Sequence, residues 1–185
     1  MSQTDWERFR EFLGLMARLG ADSRWQGKID LSGVVQQTLL EAFQAEQQLA
    51  ECNDAQKAAW LKQALANNLA DEVRKLTTAK RDIAHERSLQ AQLVESMSRL
   101  ERLLPATTQA TPSQEVLHEE QMLQVAQALA TLPDNQRQVI ERHHLGGETL
   151  AEVAEALGTT KPAVAGLLHR GLKKLRELLT EEAEE

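Results

Sequence analysis

The chain has 185 residues, a formal net charge of −7, 3% aromatic residues and no tyrosine. Ala, Leu, Glu and Gln abound while strand formers are few, which argues for an all-α protein and against a sheet-based fold. The acidic balance excludes nonspecific coating of nucleic acid but allows local DNA contacts, conditional on a partner.

Residues 1–20 predict a first helix with Trp6, Phe9, Phe12, Leu13 and Met16 on one stripe. Gly20 fits its end, and Ala21 to Lys28 reads as a loop. Ile29 to Leu49 predicts a second helical region whose apolar stripe is Val35, Leu39, Ala42 and Phe43. Asn53 and Asp54 break it and can cap the next helix. That helix, about Gln56 to Leu76, carries Leu61, Leu65, Leu69, Val73 and Leu76 on its core face. Trp60, Gln63, Asn67 and Arg74 share the opposite stripe, and a basic cluster of Arg74, Lys75, Lys80 and Arg81 follows. One aromatic, two amides and a basic end suit single-stranded nucleic acid, through stacking, base-edge hydrogen bonds and phosphate contact. A surface helix with a half-buried tryptophan has the same pattern.

Ile83 to Leu104 continues as an amphipathic helix through Leu89, Leu93, Met97 and Leu100. PATTQATPSQ, Pro105 to Gln114, holds two prolines and no charge, as a flexible linker does. The expected organisation is therefore a helical domain at 1–104, a linker at 105–114, a second small helical domain at 115–180 and an acidic tail at 181–185. Each half is expected to bury a modest core. In the second domain Glu115 to Leu132 is helical, Pro133 and Asp134 open a helix to about His144, and Gly146 and Gly147 lead onward. The tail, EEAEE, is expected to be frayed and solvated.

Thr149 to Arg176, TLAEVAEALGTTKPAVAGLLHRGLKKLR, has the pattern of a helix-turn-helix. Ala154 is small enough for a second helix to cross closely, Gly158 accepts a left-handed turn, and Val164 anchors the second helix. Lys161 to Arg176 contains five basic residues and no acidic ones. Val164, Leu168, Gly171 and Leu175 share one helical face; Gly166, His169, Arg170 and Lys173 lie opposite. Lys161 sits at the N-terminal end, where base-edge contacts usually fall. An ordinary helical hairpin with a solvated basic face is the bland alternative.

No catalytic constellation stands out. His143 and His144 are adjacent and point apart on a helix, and no HExxH, P-loop or GxSxG occurs. Cys52, the single cysteine, excludes an internal disulfide and a multi-cysteine zinc site, and it has no motif of a nucleophile around it. The chain is not expected to be an enzyme, and no cofactor or metal is expected. With no signal peptide and no long apolar run, a cytoplasmic protein without membrane insertion is expected.

The two halves together resemble the compact extracytoplasmic-function sigma factors (ECF, group 4) of the sigma-70 family, which have regions 2 and 4. ALATLPDNQRQVIERHHLGGETLAEVAEALGTTKPAVAGLLHRGLKKLREL is similar to region 4, with its Leu132-Pro133 step, Arg137 and the Ala154 to Gly158 spacing. IDLSGVVQQTLLEAF is similar to region 2.2. WLKQALANNLADEVRK is similar to regions 2.3 and 2.4, through Trp60-Leu61, Asn68, Asp71 and Arg74. The resemblance implies a sigma factor that binds core RNA polymerase and directs it to −35/−10 promoter DNA for transcription initiation. Carried over by position, it puts polymerase contacts on Asp30, Val34, Gln36, Gln37 and Leu40. It puts −10 contacts on Trp60, Lys62, Asn67, Asn68, Arg74, Lys80 and Arg81. It puts −35 contacts on Lys161, Gly166, His169, Arg170 and Lys173. An anti-sigma protein is a partner that the resemblance implies and no residue displays.

Two places depart from the family pattern. Around Val-Gln in region 2.2 the family usually has acidic residues, where this chain has Gly33 or Val34, and Gln37, so charge contributes less to core binding. In the recognition helix Ala165 and Gly166 stand where many members have a basic residue and a serine. Direct base reading is then expected to be thin, with backbone shape and phosphate contacts carrying more. The departures leave two rivals: a stand-alone helix-turn-helix regulator, and a helical adaptor that has lost its DNA reading head.

Overall fold

The computed structural model describes residues 3–21, 27–76, 99 and 113–181. Every regular element among them is helical: α1 (Gln3–Gly20), α2 (Leu31–Gln44), α3 (Glu46–Leu49), α4 (Asp54–Leu76), α5 (Ser113–Thr131), α6 (Asp134–Ile140), α7 (Leu150–Ala156) and α8 (Lys161–Glu181). The all-α expectation holds. The side chain of Trp6, the helix expected at Ile83 to Leu104, most of the linker, Lys80, Arg81 and the last tail residues lie outside the described residues. Ser113 and Gln114, expected in the linker, form the first turn of α5.

α1 is the central helix of the N-terminal half, touching α2, α4 and α5. That explains its broad apolar face: Leu15 and Ala17 are buried beside the expected Phe9, Phe12, Leu13 and Met16. α2 opens on Asp30, whose carboxylate accepts the Gly33 N–H at 2.9 Å. The expected second helical region breaks at Ala45, leaving α3 as one turn. α4 begins with a reciprocal cap. Asn53 Oδ1 accepts the Gln56 N–H at 2.9 Å, and Gln56 Oε1 accepts the Asn53 N–H at 3.0 Å. Two otherwise orphaned backbone donors are satisfied there.

The stripe of α2 is rotated from the expected one. Val34, Val35, Thr38 and Ala42 are buried, whereas Phe43 is 63% exposed. Thr38 can occupy the core because its hydroxyl donates to the Val34 carbonyl at 2.9 Å, which removes the penalty of an unpaired polar group. On α4 the expected Leu61, Leu65, Leu69 and Val73 are buried, but Leu76, in the last turn, is 44% exposed.

α5 is apolar on two sides, since it packs on α1 and α4 with one and on α8 with the other. Met122, Leu123, Val125, Ala126, Ala128, Leu129 and Leu132 are buried. One continuous core therefore runs from Phe9 and Leu65 through Leu123 to Ile140 and Leu175. A smaller cluster of Val139, Val153, Ala154 and Val164 holds the helix-turn-helix together.

α6 runs directly into a π-helical turn, Glu141–Leu145, closed by the Gly146 N–H on the Glu141 carbonyl at 2.7 Å. Such single turns interrupt α-helices with an i→i+5 bond and are frequent at functional sites. Here the turn carries Glu141, whose two carboxylate oxygens accept from Arg18 Nε and Nη2 at 2.9 and 2.7 Å. The pair ties α1 to the C-terminal half in the bidentate geometry that arginine favours. Arg142 pairs with Glu148 at 3.1 Å, and the His143 ring nitrogen Nδ1 lies 2.6 Å from the Glu148 carbonyl. The turn at Gly147 (φ 76°) is thus fixed before α7 begins.

Candidate nucleic-acid and partner interfaces

The helix-turn-helix consists of α7, the turn at Gly158 and α8. Thr149 caps α7 with a reciprocal box: its hydroxyl accepts the Glu152 N–H at 3.3 Å, and Glu152 Oε2 accepts the Thr149 N–H at 2.7 Å. Those hydrogen bonds from Thr149 hold the Glu152 carboxyl below its usual range. Gly158 has φ 61°, a left-handed backbone that L side chains rarely adopt. Thr160 then starts α8, its hydroxyl accepting the Ala163 N–H at 3.4 Å.

Val164, Gly171 and Leu175 face inward and Leu168 is half-buried, so the expected inner face of α8 holds. Gly171 lets α8 press on α6: a Cβ there would stand 2.9 Å from Ile140 Cδ1 and 3.2 Å from Gln136 Cβ. Lys161, His169, Arg170 and Lys173 are all exposed, and Gly166 is half-buried among them. A Cβ at Gly166 would meet nothing nearer than Arg170 Nη1, at 3.4 Å. Gly166, His169, Arg170 and Lys173 share the outer side of α8, and Lys161 is exposed separately at its first turn. Lys174, which lies beside them, pairs with Glu177 at 3.7 Å.

α4 is more mixed. Gln63, Asn67 and Arg74 are exposed along the expected stripe, and Trp60 is half-buried, packed partly on the core. Lys62 is half-buried on a neighbouring face. Gln63 Nε2 donates to Asn67 Oδ1 at 3.1 Å, so the two amides are aligned in advance. The basic end is locally neutralised: Arg74 pairs with Asp71, and Lys75 with Glu72 at 2.6 Å. Glu72, first through that hydrogen bond and then through its charge, raises the Lys75 pKa. Exposed pairs of this kind contribute little to stability and can be exchanged for phosphate.

Asn68 does something else. Its Nδ2 donates to Thr38 Oγ1 at 3.1 Å and to Glu41 Oε2 at 3.2 Å, clasping α4 to α2. Glu41 in turn accepts from Gln37 Nε2 at 2.9 Å. Asn68 is therefore a positioning residue in this structure, with its amide turned away from the Trp60 stripe.

The positions matched to polymerase contact also divide. Asp30, Gln36, Gln37 and Leu40 are exposed, with Leu40 at 50%. Val34 is 4% exposed and belongs to the core, so its side chain offers no surface. Phe43, expected on the core stripe, is exposed instead. Gln36, Leu40 and Phe43 follow one another at offsets of 4 and 7, a single stripe along α2. Apolarity alone cannot separate a core phenylalanine from an exposed one; the buried Thr38 hydroxyl is what turns the helix.

Among the described residues no group of three or more His, Cys, Asp or Glu is arranged to hold a metal, and no helix is long and apolar enough to cross a membrane. The His143 and His144 rings meet edge to face, with centroids 5.1 Å apart. No curated protein matches the sequence. Residues 122–175, from the middle of α5 to Leu175 of α8, match the family model described as sigma-70, region 4. The C-terminal half is thus similar to sigma-70 region 4, a likeness that supports a DNA-binding role in transcription.

Proposed function

We propose that this chain is a sigma factor of the extracytoplasmic-function type, which binds core RNA polymerase and directs it to −35/−10 promoters. The observation that carries the reading is the outer face of α8, whose basic side chains are exposed within the segment similar to region 4. α8 would enter the major groove of the −35 element, with Lys161 near base edges and Arg170 and Lys173 on phosphates. The Gln36, Leu40 and Phe43 stripe of α2, rimmed by Asp30 and Gln37, would dock on the polymerase. An exposed apolar stripe with a polar rim is the anatomy of a protein interface. The linker would thread through the polymerase, and an anti-sigma protein would be a regulatory partner of a cytoplasmic protein.

The −10 role falls to Trp60, Gln63, Asn67 and Arg74. Unstacking DNA costs roughly 1.4 kcal/mol per step, and an aromatic side chain returns about 1–3 kcal/mol per base. Trp60 can capture one flipped base, but it cannot hold a bubble alone. The free protein should not open promoters, and permanganate footprinting without polymerase checks this.

The promoter positions also set a length. Twenty-five base pairs of B-DNA span about 85 Å at 3.4 Å per step, whereas a compact chain of this size has a radius of gyration of about 16 Å. The seam between α5 and the α1–α4 pair has to part when both elements are engaged.

The test is fluorescence anisotropy with core RNA polymerase, comparing the intact chain with Leu40→Ser/Phe43→Ser and with Trp60→Ala/Arg74→Ala. Nanomolar binding, lost at least tenfold in the first variant and kept in the second, is expected. No binding by the intact chain to a competent core enzyme would make it a stand-alone regulator.

A further inference from the structure

The outer face of α8 changes character along its length. In its first two turns Pro162, Ala163 and Ala165 are exposed and Gly166 is half-buried. None of the four has a polar side-chain atom. The hydrogen-bonding side chains His169, Arg170 and Lys173 come two to three turns into the helix, and Lys161 stands alone at the start. In helix-turn-helix docking, the N-terminal residues of the second helix are the ones that meet base edges. Here that tip is made of methyl and methylene groups.

A tip of that kind can still carry sequence information. Each base edge in the major groove shows hydrogen-bonding groups, except that thymine adds an apolar one, its C5-methyl group. Apolar side chains recognise that methyl and leave polar edges unsatisfied. A blunt, unreactive surface would serve an adaptor equally well, but the surrounding charge does not fit an adaptor. From Lys161 to Arg176 every charged residue is basic, in a chain of net charge −7. Arg170 and Lys173, on the same side as the apolar tip, complement the phosphates that border the groove.

We propose that α8 reads its duplex site through thymine methyl groups packed on Pro162, Ala163 and Ala165, with Gly166 admitting the groove edge closely and Arg170 and Lys173 holding phosphates. The inference rests on the DNA-binding role proposed for α8 and adds the chemical class of base that it selects.

The experiment uses the full chain and a randomised 30-base-pair duplex pool, followed by anisotropy on the enriched duplex with deoxyuridine replacing each thymine in turn. Deoxyuridine keeps every hydrogen-bonding edge and removes the methyl. At contacted positions affinity should fall about fourfold per methyl, the worth of one buried carbon. An Ala163→Gly/Ala165→Gly variant should bind the thymine and uracil duplexes more nearly alike. Lys173→Ala should weaken both equally and lower the salt slope by about one. An enriched duplex that is indifferent to uracil overturns the inference and leaves the DNA role standing. Binding with a steep salt slope and no enrichment also overturns it, because phosphate contact alone would then explain the affinity. Absence of binding at low salt, by the chain alone and by its complex with core polymerase, overturns the DNA role itself.

Discussion

The two halves of the molecule present their candidate surfaces in opposite ways. On α8 the inner and outer faces separate cleanly: Val164, Gly171 and Leu175 are in, and Lys161, His169, Arg170 and Lys173 are out. On α2 and α4 the division runs through the candidate site, with Val34 and Asn68 inward and Phe43 outward. The difference comes from how many neighbours each helix has. α8 rests on α5, α6 and α7 with one side and leaves the other to solvent, so its pattern has one period. α2 and α4 also pack on each other, and a polar clasp (Thr38, Asn68, Glu41) takes positions that a count of apolar residues assigns to the surface.

The seam between the halves gives the largest expected effect. Glu141 has 7% of its side chain exposed and Arg18 39%. Arg18→Ala strands a buried carboxylate, with Arg137 Nε still 3.8 Å away, and should cost about 3 kcal/mol. For a chain of this size that lowers the melting temperature by about 6–12 °C. Glu141→Gln leaves a guanidinium that can reach water and should cost about 1 kcal/mol. Urea unfolding of both variants tests the order. If Glu141→Gln is the more damaging, the carboxylate has a role beyond its pairing with Arg18.

Adjacent asparagines sharpen the comparison inside α4. Asn68→Ala breaks the clasp and leaves the Thr38 hydroxyl with one partner fewer, so about 1–2 kcal/mol of stability should be lost. Asn67→Ala touches an exposed amide paired with Gln63 and should leave stability within about 0.5 kcal/mol. On the proposed role, it should weaken binding of a single-stranded −10 oligonucleotide in the polymerase complex severalfold. Equal stabilities for the two variants would return Asn68 to the reading surface.

Much of this was legible in the sequence, and the parts that were not share a cause. The helix-turn-helix was visible because Gly158, Ala154 and the α8 face each satisfy a local rule that needs no partner. The Thr149–Glu152 box was not read, although a threonine followed three residues later by glutamate is a local signal of the same kind. The rotation of α2 was not, because it depends on a hydroxyl reaching its own helix and an amide arriving from α4. Nor was the shared core, since the apolar residues on both sides of α5 fit a small domain of its own as well as a helix wedged between two.

The smallest expected effect concerns pH, again at the seam between elements. His144 borders a cleft of about 500 Å³ with His143, Leu172, Leu175 and Arg176. Its Nε2 is buried without a partner. Burial first, and then the nearby His143 and Arg176 charges, hold its pKa below the ordinary 6.5. The unfolded chain therefore binds a proton at this residue more readily than the folded one. The corresponding stability is fully present above about pH 6.5 and declines as pH falls toward the lowered folded value. Unfolding between pH 8 and pH 5 should show a loss that His144→Gln reduces, because glutamine cannot be charged. The glutamic acid at 152 adds a loss of the same sign at more acidic pH, since its folded pKa is also depressed. If the variant keeps the full slope between pH 7 and pH 6, the imidazole is not held neutral against the C-terminal half of α8, and the cleft is open enough to hydrate it.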